Sequence, residues 1–253
     1  MTNVKRMRWV AIMLALAACA AQAQTVWTNA VNGLWSDATM WSAGVPNANA
    51  ANLTAGNGAY TVTVDAPLAN PAGALTITNN AVNTTRLDIN AAGFAVSNGL
   101  LTLGRGALVS VNTGGEMTYP GTNYAGADFV TVKDGGEWQV NGGTVNFSDL
   151  MYGNIGNEYS KIYVGNASTG RLTMTSGTFN FTGRTTPAVN MVQLFLGYNG
   201  GYGIMQMDGG TSVLSHSGYS WMSTLVVGNT SSRGELTLTN NAILMSSNTM
   251  VSL

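Results

Sequence analysis

Beyond residue 24, apolar and polar residues alternate in short runs, and the runs come back on a schedule. In Leu172-Thr173-Met174 and Leu236-Thr237-Leu238 every second side chain is apolar, the mark of a strand with one face in a core and the other in water. Aligning the chain on such pairs gives Leu101/Leu103, Val130/Val132, Ile162/Val164, Leu194/Leu196 and Leu225/Val227, whose second members lie 29, 32, 32 and 31 residues apart. A glycine-bearing turn follows each of the last four pairs. Then come second pairs, Trp138/Val140, Leu172/Met174, Met205/Met207 and Leu236/Leu238, separated by Gln139, Thr173, Gln206 and Thr237. Third pairs complete each copy: Val145/Phe147, Phe179/Phe181, Ser212/Leu214 and Ile243/Met245.

One copy of three short strands cannot bury its own apolar faces. Stacked copies can, because equivalent strands then pair in parallel about 4.8 Å apart and the inward side chains form a continuous core. The pattern therefore predicts an all-β fold: a parallel β-helix or solenoid, expected to be right-handed, with three-strand rungs of about 30 residues. Gly135-Gly136, Gly170, Gly203 and Gly234 before the second strand, and Gly142-Gly143, Ser176-Gly177, Gly209-Gly210 and Asn240-Asn241 after it, are expected to supply positive φ at the corners. Leu75/Ile77, Leu87/Ile89 and Phe94/Val96 read as a divergent first rung. Residues 24–66, with Trp27, Trp35 and Trp41, read as an N-terminal cap over the open end of the coil, since an uncovered rung is an unpaired edge. The rungs occupy residues 67–253, and the chain stops inside one, which suggests C-terminal truncation.

Residues 1–23 do not share the pattern. Lys5, Arg6 and Arg8 precede an apolar run from Trp9 to Ala18 and the small residues Ala21-Gln22-Ala23, the layout of a secretory signal peptide. Without it, seven Lys/Arg remain against eleven Asp/Glu, a net charge of −4, and a chain lacking a basic stripe is no candidate for nucleic acid. The sole cysteine, Cys19, follows Leu16-Ala17-Ala18 and resembles a lipobox cysteine. Cleavage there would leave a lipidated N-terminus, whereas cleavage after Ala23 would leave a secreted chain without disulfides. Any membrane attachment is thus expected only through a lipidated Cys19 or an anchor absent from this chain. With 45% hydrophobic and only 8% charged residues, far below the roughly 25% charged content of average domains, solubility rests on Thr, Ser, Asn and Gly.

The Trp-rich opening with Gly44-Val45-Pro46, the run Tyr60-Thr-Val-Thr-Val-Asp65, and rungs of the form Val-Gly-Asn…Gly-x-Leu-Thr-Met-Thr-x-Gly resemble the exported β-helical proteins of Gram-negative and related bacteria. Autotransporter-passenger-like proteins and those with a PEP-CTERM sorting tail are among them. The likeness implies a structural or adhesive role at the cell surface. Two departures stand out: Met40 precedes Trp41 where such families commonly have Asn, and no Pro-Glu-Pro motif, apolar span, basic tail or barrel follows Leu253.

Candidate chemistry is sparse. Right-handed β-helices also host polysaccharide lyases and hydrolases, which use clustered carboxylates, but here the acids are scattered through turns and loops, where turn formation accounts for them. His216 has no triad context and no second His or Cys at metal-ligand spacing. Gly197–Gly203 lacks the Lys-Ser/Thr of a phosphate loop. Asp134, Glu137 and Asp208 lie near one edge, but the calcium-binding nonapeptide is missing; no metal or cofactor and no catalytic residue is predicted. The remaining candidate is the loop closing each rung, 119–129, 151–159 and 215–222, which mixes aromatics with Gly, Asn and Ser. Tyr124, Tyr152, Tyr159 and Trp221 would present ring faces and neighbouring amides to a glycan or a cell-surface protein. The expected function is that of an exported, non-enzymatic structural or adhesive solenoid. The alternative is a polysaccharide-processing β-helix whose catalytic region is missing or unrecognised.

Overall fold

The computed structural model describes residues 24–253, apart from 57, 69–71, 81, 98–99, 121–127, 151–158, 184–190, 216–222, 230, 248 and 253. The chain coils through three sides. On the first side, a nine-stranded sheet is built from Thr25–Val26, Ala51–Leu53, Leu75–Ile77, Leu101–Leu103, Asp128–Val132, Tyr159–Asn166, Met191–Tyr198, Ser223–Val227 and Thr249–Ser252. The second and third sides form a twelve-stranded sheet. Its second-side column runs through Gly33–Leu34, Tyr60–Val64, Thr85–Ile89, Ala107–Asn112, Gly136–Leu150, Thr169–Gly183, Tyr202–Asp208 and Arg233–Thr239. Phe94–Ala95, Glu116–Pro120, Thr211–Ser215 and Ile243–Ser247, with the far halves of the two long strands, make the third side. Every pairing between these strands is parallel, and the regular turns repeat about every 31 residues. The only helical element among the described residues is a short 3-10 turn at Ala38–Met40. Asp37 starts that turn by accepting from Thr39 N and Oγ1, bonds that hold its carboxyl below the usual range.

Register follows the apolar pairs. Leu75, Leu101, Val130, Ile162, Leu194 and Leu225 stand one above another on the first side, and Trp138, Leu172, Met205 and Leu236 do so on the second. Leu87/Ile89 and Phe94/Val96 join the same core, so residues 75–96 make a full rung. Ala51–Leu53 and Tyr60–Val64, from the stretch expected to cover the end, are already in ladder with that rung. Trp27, Trp35 and Trp41 are buried, with ring centroids 5.1 and 4.9 Å apart, and Trp35 packs edge-on against Phe94 at 4.9 Å.

Glycine acts at the corners in two ways, and the sequence reading captured one. Gly142 and Gly177 turn the long strands from the second side to the third at φ +90°, a conformation costly for any residue with a Cβ. Gly136, Gly170, Gly203 and Gly234, by contrast, do not have positive φ. They stack in register at the first corner, where a Cβ on Gly170 would lie 2.2 Å from Val132 O and one on Gly203 2.0 Å from Val164 O. Close backbone approach, not handedness of the turn, requires these four glycines.

Two further expectations are corrected in the last turn and at the third side. Ile243 and Met245 were expected inward, but they are 50% and 48% exposed, and Leu244 takes the inward place above Ser212. One additional residue causes this: the inward positions Met207 and Ser212 are five apart, whereas Leu238 and Leu244 are six apart, and a single-residue shift exchanges the faces of a strand. Tyr119, read as the start of a loop, is a core residue stacked on Phe147 at 5.3 Å.

Candidate functional site

Three of the four aromatic residues expected to bind a ligand, Tyr124, Tyr152 and Trp221, lie outside the described residues, as does His216. Tyr159 opens a first-side strand, with its backbone in register with Met191. The surfaces the structure does describe are the outer faces of the sides and the first corner.

On the second and third sides the outward polar residues bond to one another across rungs. Glu137 accepts from Gln139 Nε2 and from Thr173 Oγ1, both at 3.0 Å. Asn141 Nδ2 donates to Ser110 Oγ at 2.9 Å, and Asn141 Oδ1 accepts from Thr175 Oγ1 at 3.0 Å. On the third side Asn180 donates to Asn146 Oδ1 (2.8 Å), and Asn146 donates onward to Glu116 (3.0 Å). Asp208 accepts from Thr239 Oγ1 at 2.8 Å and from Asn240 Nδ2. These carboxylates are tied into ladders parallel to the coil axis. Glu137 and Asp208 are thus engaged by neighbouring rungs, and no group of three or more potential metal ligands occurs among the described residues.

The outer face of the first side changes character along the coil. Its middle position is Thr76, Thr102 and Thr131 in three successive turns, then Tyr163, Phe195 and Val226 in the next three. Tyr163 and Phe195 point away from the core, yet they are only 2% and 6% exposed. Their rings stack at 5.2 Å, and Tyr198 packs on both, 4.6 Å from Tyr163 and 5.1 Å from Phe195. The loop-based reading missed this outer aromatic cluster. The signal was present: Leu-Thr-Leu and Val-Thr-Val give way to Ile162-Tyr-Val164, Leu194-Phe-Leu196 and Leu225-Val-Val227, and unbroken apolar runs mark strands buried on both faces.

Beside this cluster, the first corner opens into a cleft of about 550 Å³ lined by Tyr198, Asn199, Gly200, Asn229 and Ser231. Gly200 N donates to Ser232 Oγ at 2.9 Å and Arg233 N to Gly201 O at 3.0 Å, so the two turns that form its lips are bonded to each other. Next to it the Arg233 guanidinium lies 4.6 Å from the centroid of the Tyr202 ring and 3.7 Å from Glu235. Tyr202 Oη donates to Glu235 Oε2, a bond that keeps the phenol protonated and raises its pKa above the ordinary tyrosine value. The cleft offers a ring, two carboxamides, a hydroxyl and backbone amides, a set suited to holding hydroxyl groups.

Comparison with family models, curated proteins and solved structures finds no match for this chain.

Proposed function

We propose that this chain is an exported, non-enzymatic β-solenoid that serves a structural and adhesive role at the bacterial cell envelope, in the manner of the autotransporter-passenger-like and PEP-CTERM-type proteins it resembles. The observation that carries this reading is the use made of the polar residues. Glu116, Glu137 and Asp208 serve as acceptors in ladders that join one rung to the next, whereas acid–base chemistry needs a convergent acid and base facing a shared space. A stack of near-identical rungs makes a stiff rod with long repetitive faces, suited to spacing and contact. The leader-like residues 1–23 support export, and the glycan or surface protein bound by such a rod would meet its loops and corners.

The test is to express the full chain in a Gram-negative host, fractionate the cells and determine the mature N-terminus. Surface exposure to added protease, with Gln24 as the first residue, is expected. Cys19→Ser leaves processing unchanged if the cut follows Ala23 and abolishes it if Cys19 is lipidated. Retention in the cytoplasm would refute the envelope role, and release of reducing or unsaturated sugars from pectin or alginate by the purified protein would refute the non-enzymatic one.

A further inference from the structure

The first corner is not the same height by height. Between the last inward residue of the first side and the corner glycine stand three residues in Val132…Gly136, five in Val164…Gly170, and six in both Leu196…Gly203 and Val227…Gly234. Lower turns are tight. The two six-residue turns are bonded to each other, and the cleft of about 550 Å³ is lined by residues of both, within the size range of pockets that hold small ligands.

We propose that this cleft is a binding subsite for an uncharged oligosaccharide. The proposal rests on the adhesive reading above and moves its ligand contact from the rung-closing loops to the corner. Three features define the ligand. Tyr198 supplies an aromatic wall whose position is fixed by the rings of Tyr163 and Phe195 and by two backbone bonds to its carbonyl, from Ala167 N (3.0 Å) and Gly201 N (2.9 Å). A preorganised ring suits the apolar face of a sugar, because little ordering remains to be done on binding. Asn199 and Ser231 add an amide and a hydroxyl group, which both donate and accept as sugar hydroxyls require. No ionised side chain is among the described residues that line the cleft, and Arg233, the nearest cation by sequence, lies 3.7 Å from Glu235, so the lining itself offers no charge to an acidic sugar or a phosphate.

Asn199 and Ser231 are exposed and hold positive φ of 52° and 61°. Replacing both by glycine removes their side chains at positions where glycine is conformationally at ease, so N199G/S231G keeps the fold. Purified exported protein is titrated by calorimetry and saturation-transfer NMR with neutral tetrasaccharides of glucose, N-acetylglucosamine and galactose, and with tetragalacturonate. The expected result is binding of at least one neutral probe, weakened tenfold or more in N199G/S231G with an unchanged melting temperature, and retained when Tyr124, Tyr152, Tyr159 and Trp221 are all changed to Ala. Preference for tetragalacturonate, equal binding by N199G/S231G and the parent, or no binding of any neutral probe at millimolar concentration overturns the cleft. The envelope reading stands or falls separately, on fractionation: a surface-exposed protein with an inert cleft refutes only this proposal, and a cytoplasmic protein with a functional cleft refutes only the other.

Discussion

Leu172 and Leu236 occupy equivalent places on the second side, two rungs apart, yet one is sealed in the core and the other is only partly buried. Leu238, the next inward residue two positions on, is 44% exposed, whereas its counterparts Met207 and Met174 are buried. The strand of Met174 has neighbours on both edges, and the strand of Leu236 has one. In a solenoid, then, burial is conferred by the next rung rather than by the residue's own alternation. The opposite end makes the same point. There the tryptophans at 27, 35 and 41 stand where further rungs would, and Val62 and Val64 beside them are fully buried.

This contrast is open to direct attack. Met174→Asp places an unpaired charge between two rungs and is expected to cost more than about 4 kcal/mol, visible as loss of protease resistance across the central turns. Leu236→Asp, at the half-covered rung, is expected to cost only about 1–2 kcal/mol. Equal losses would mean that the last turn is covered as well as the middle ones. Outward positions divide too: Thr237→Asp is expected to be neutral, while Thr173→Asp loses a hydrogen bond to Glu137 and sets two carboxylates together, at about 1 kcal/mol.

Substitutions at the corners separate the two uses of glycine. Gly170→Ala drives a methyl into Val132 O and is expected to destabilise by about 3 kcal/mol. Gly200→Ala meets nothing within 4 Å but holds φ +80°, so only backbone strain of about 1 kcal/mol applies. Urea denaturation of the pair checks the order. Asn146→Ala, which breaks the third-side ladder at its middle, is expected to cost about 1 kcal/mol.

The smallest effect is a pH dependence at the tryptophan end. Burial raises the Tyr60 phenol above its ordinary pKa. Its contribution to stability is therefore fully present below the unfolded value of about 10 and is lost as pH climbs through the higher folded value. Tyr60→Phe is expected to flatten that alkaline limb of the melting profile; an unchanged limb would place the pH sensitivity elsewhere.

Alternation and spacing made the stack legible in advance, because inward pairs such as Leu194/Leu196 recur at nearly constant intervals and only a coil satisfies them. Where legibility failed, three apolar residues stood together. Ile243-Leu244-Met245 gives no phase by itself, and an added residue in the preceding corner selected Leu244. Ile162-Tyr163-Val164 concealed an outward ring for the same reason. The cleft was hidden differently: Gly197–Gly203 was read for a phosphate loop it does not contain, while the informative property was the length of the turn compared with those below.

The central claim is that equivalent residues of successive copies lie directly above one another, and it is most directly tested by cross-linking. Gln206 is in register with Thr173, both outward, and Met205 is its inward neighbour. With residues 1–23 removed the chain has no other cysteine, and parallel neighbours about 4.8 Å apart fall within the Cα separation a disulfide spans. Mild oxidation of Thr173→Cys/Gln206→Cys is predicted to close a disulfide quantitatively, and Thr173→Cys/Met205→Cys is predicted to remain reduced. Cross-linking of the second pair in preference to the first would contradict the register and, with it, the stacked coil.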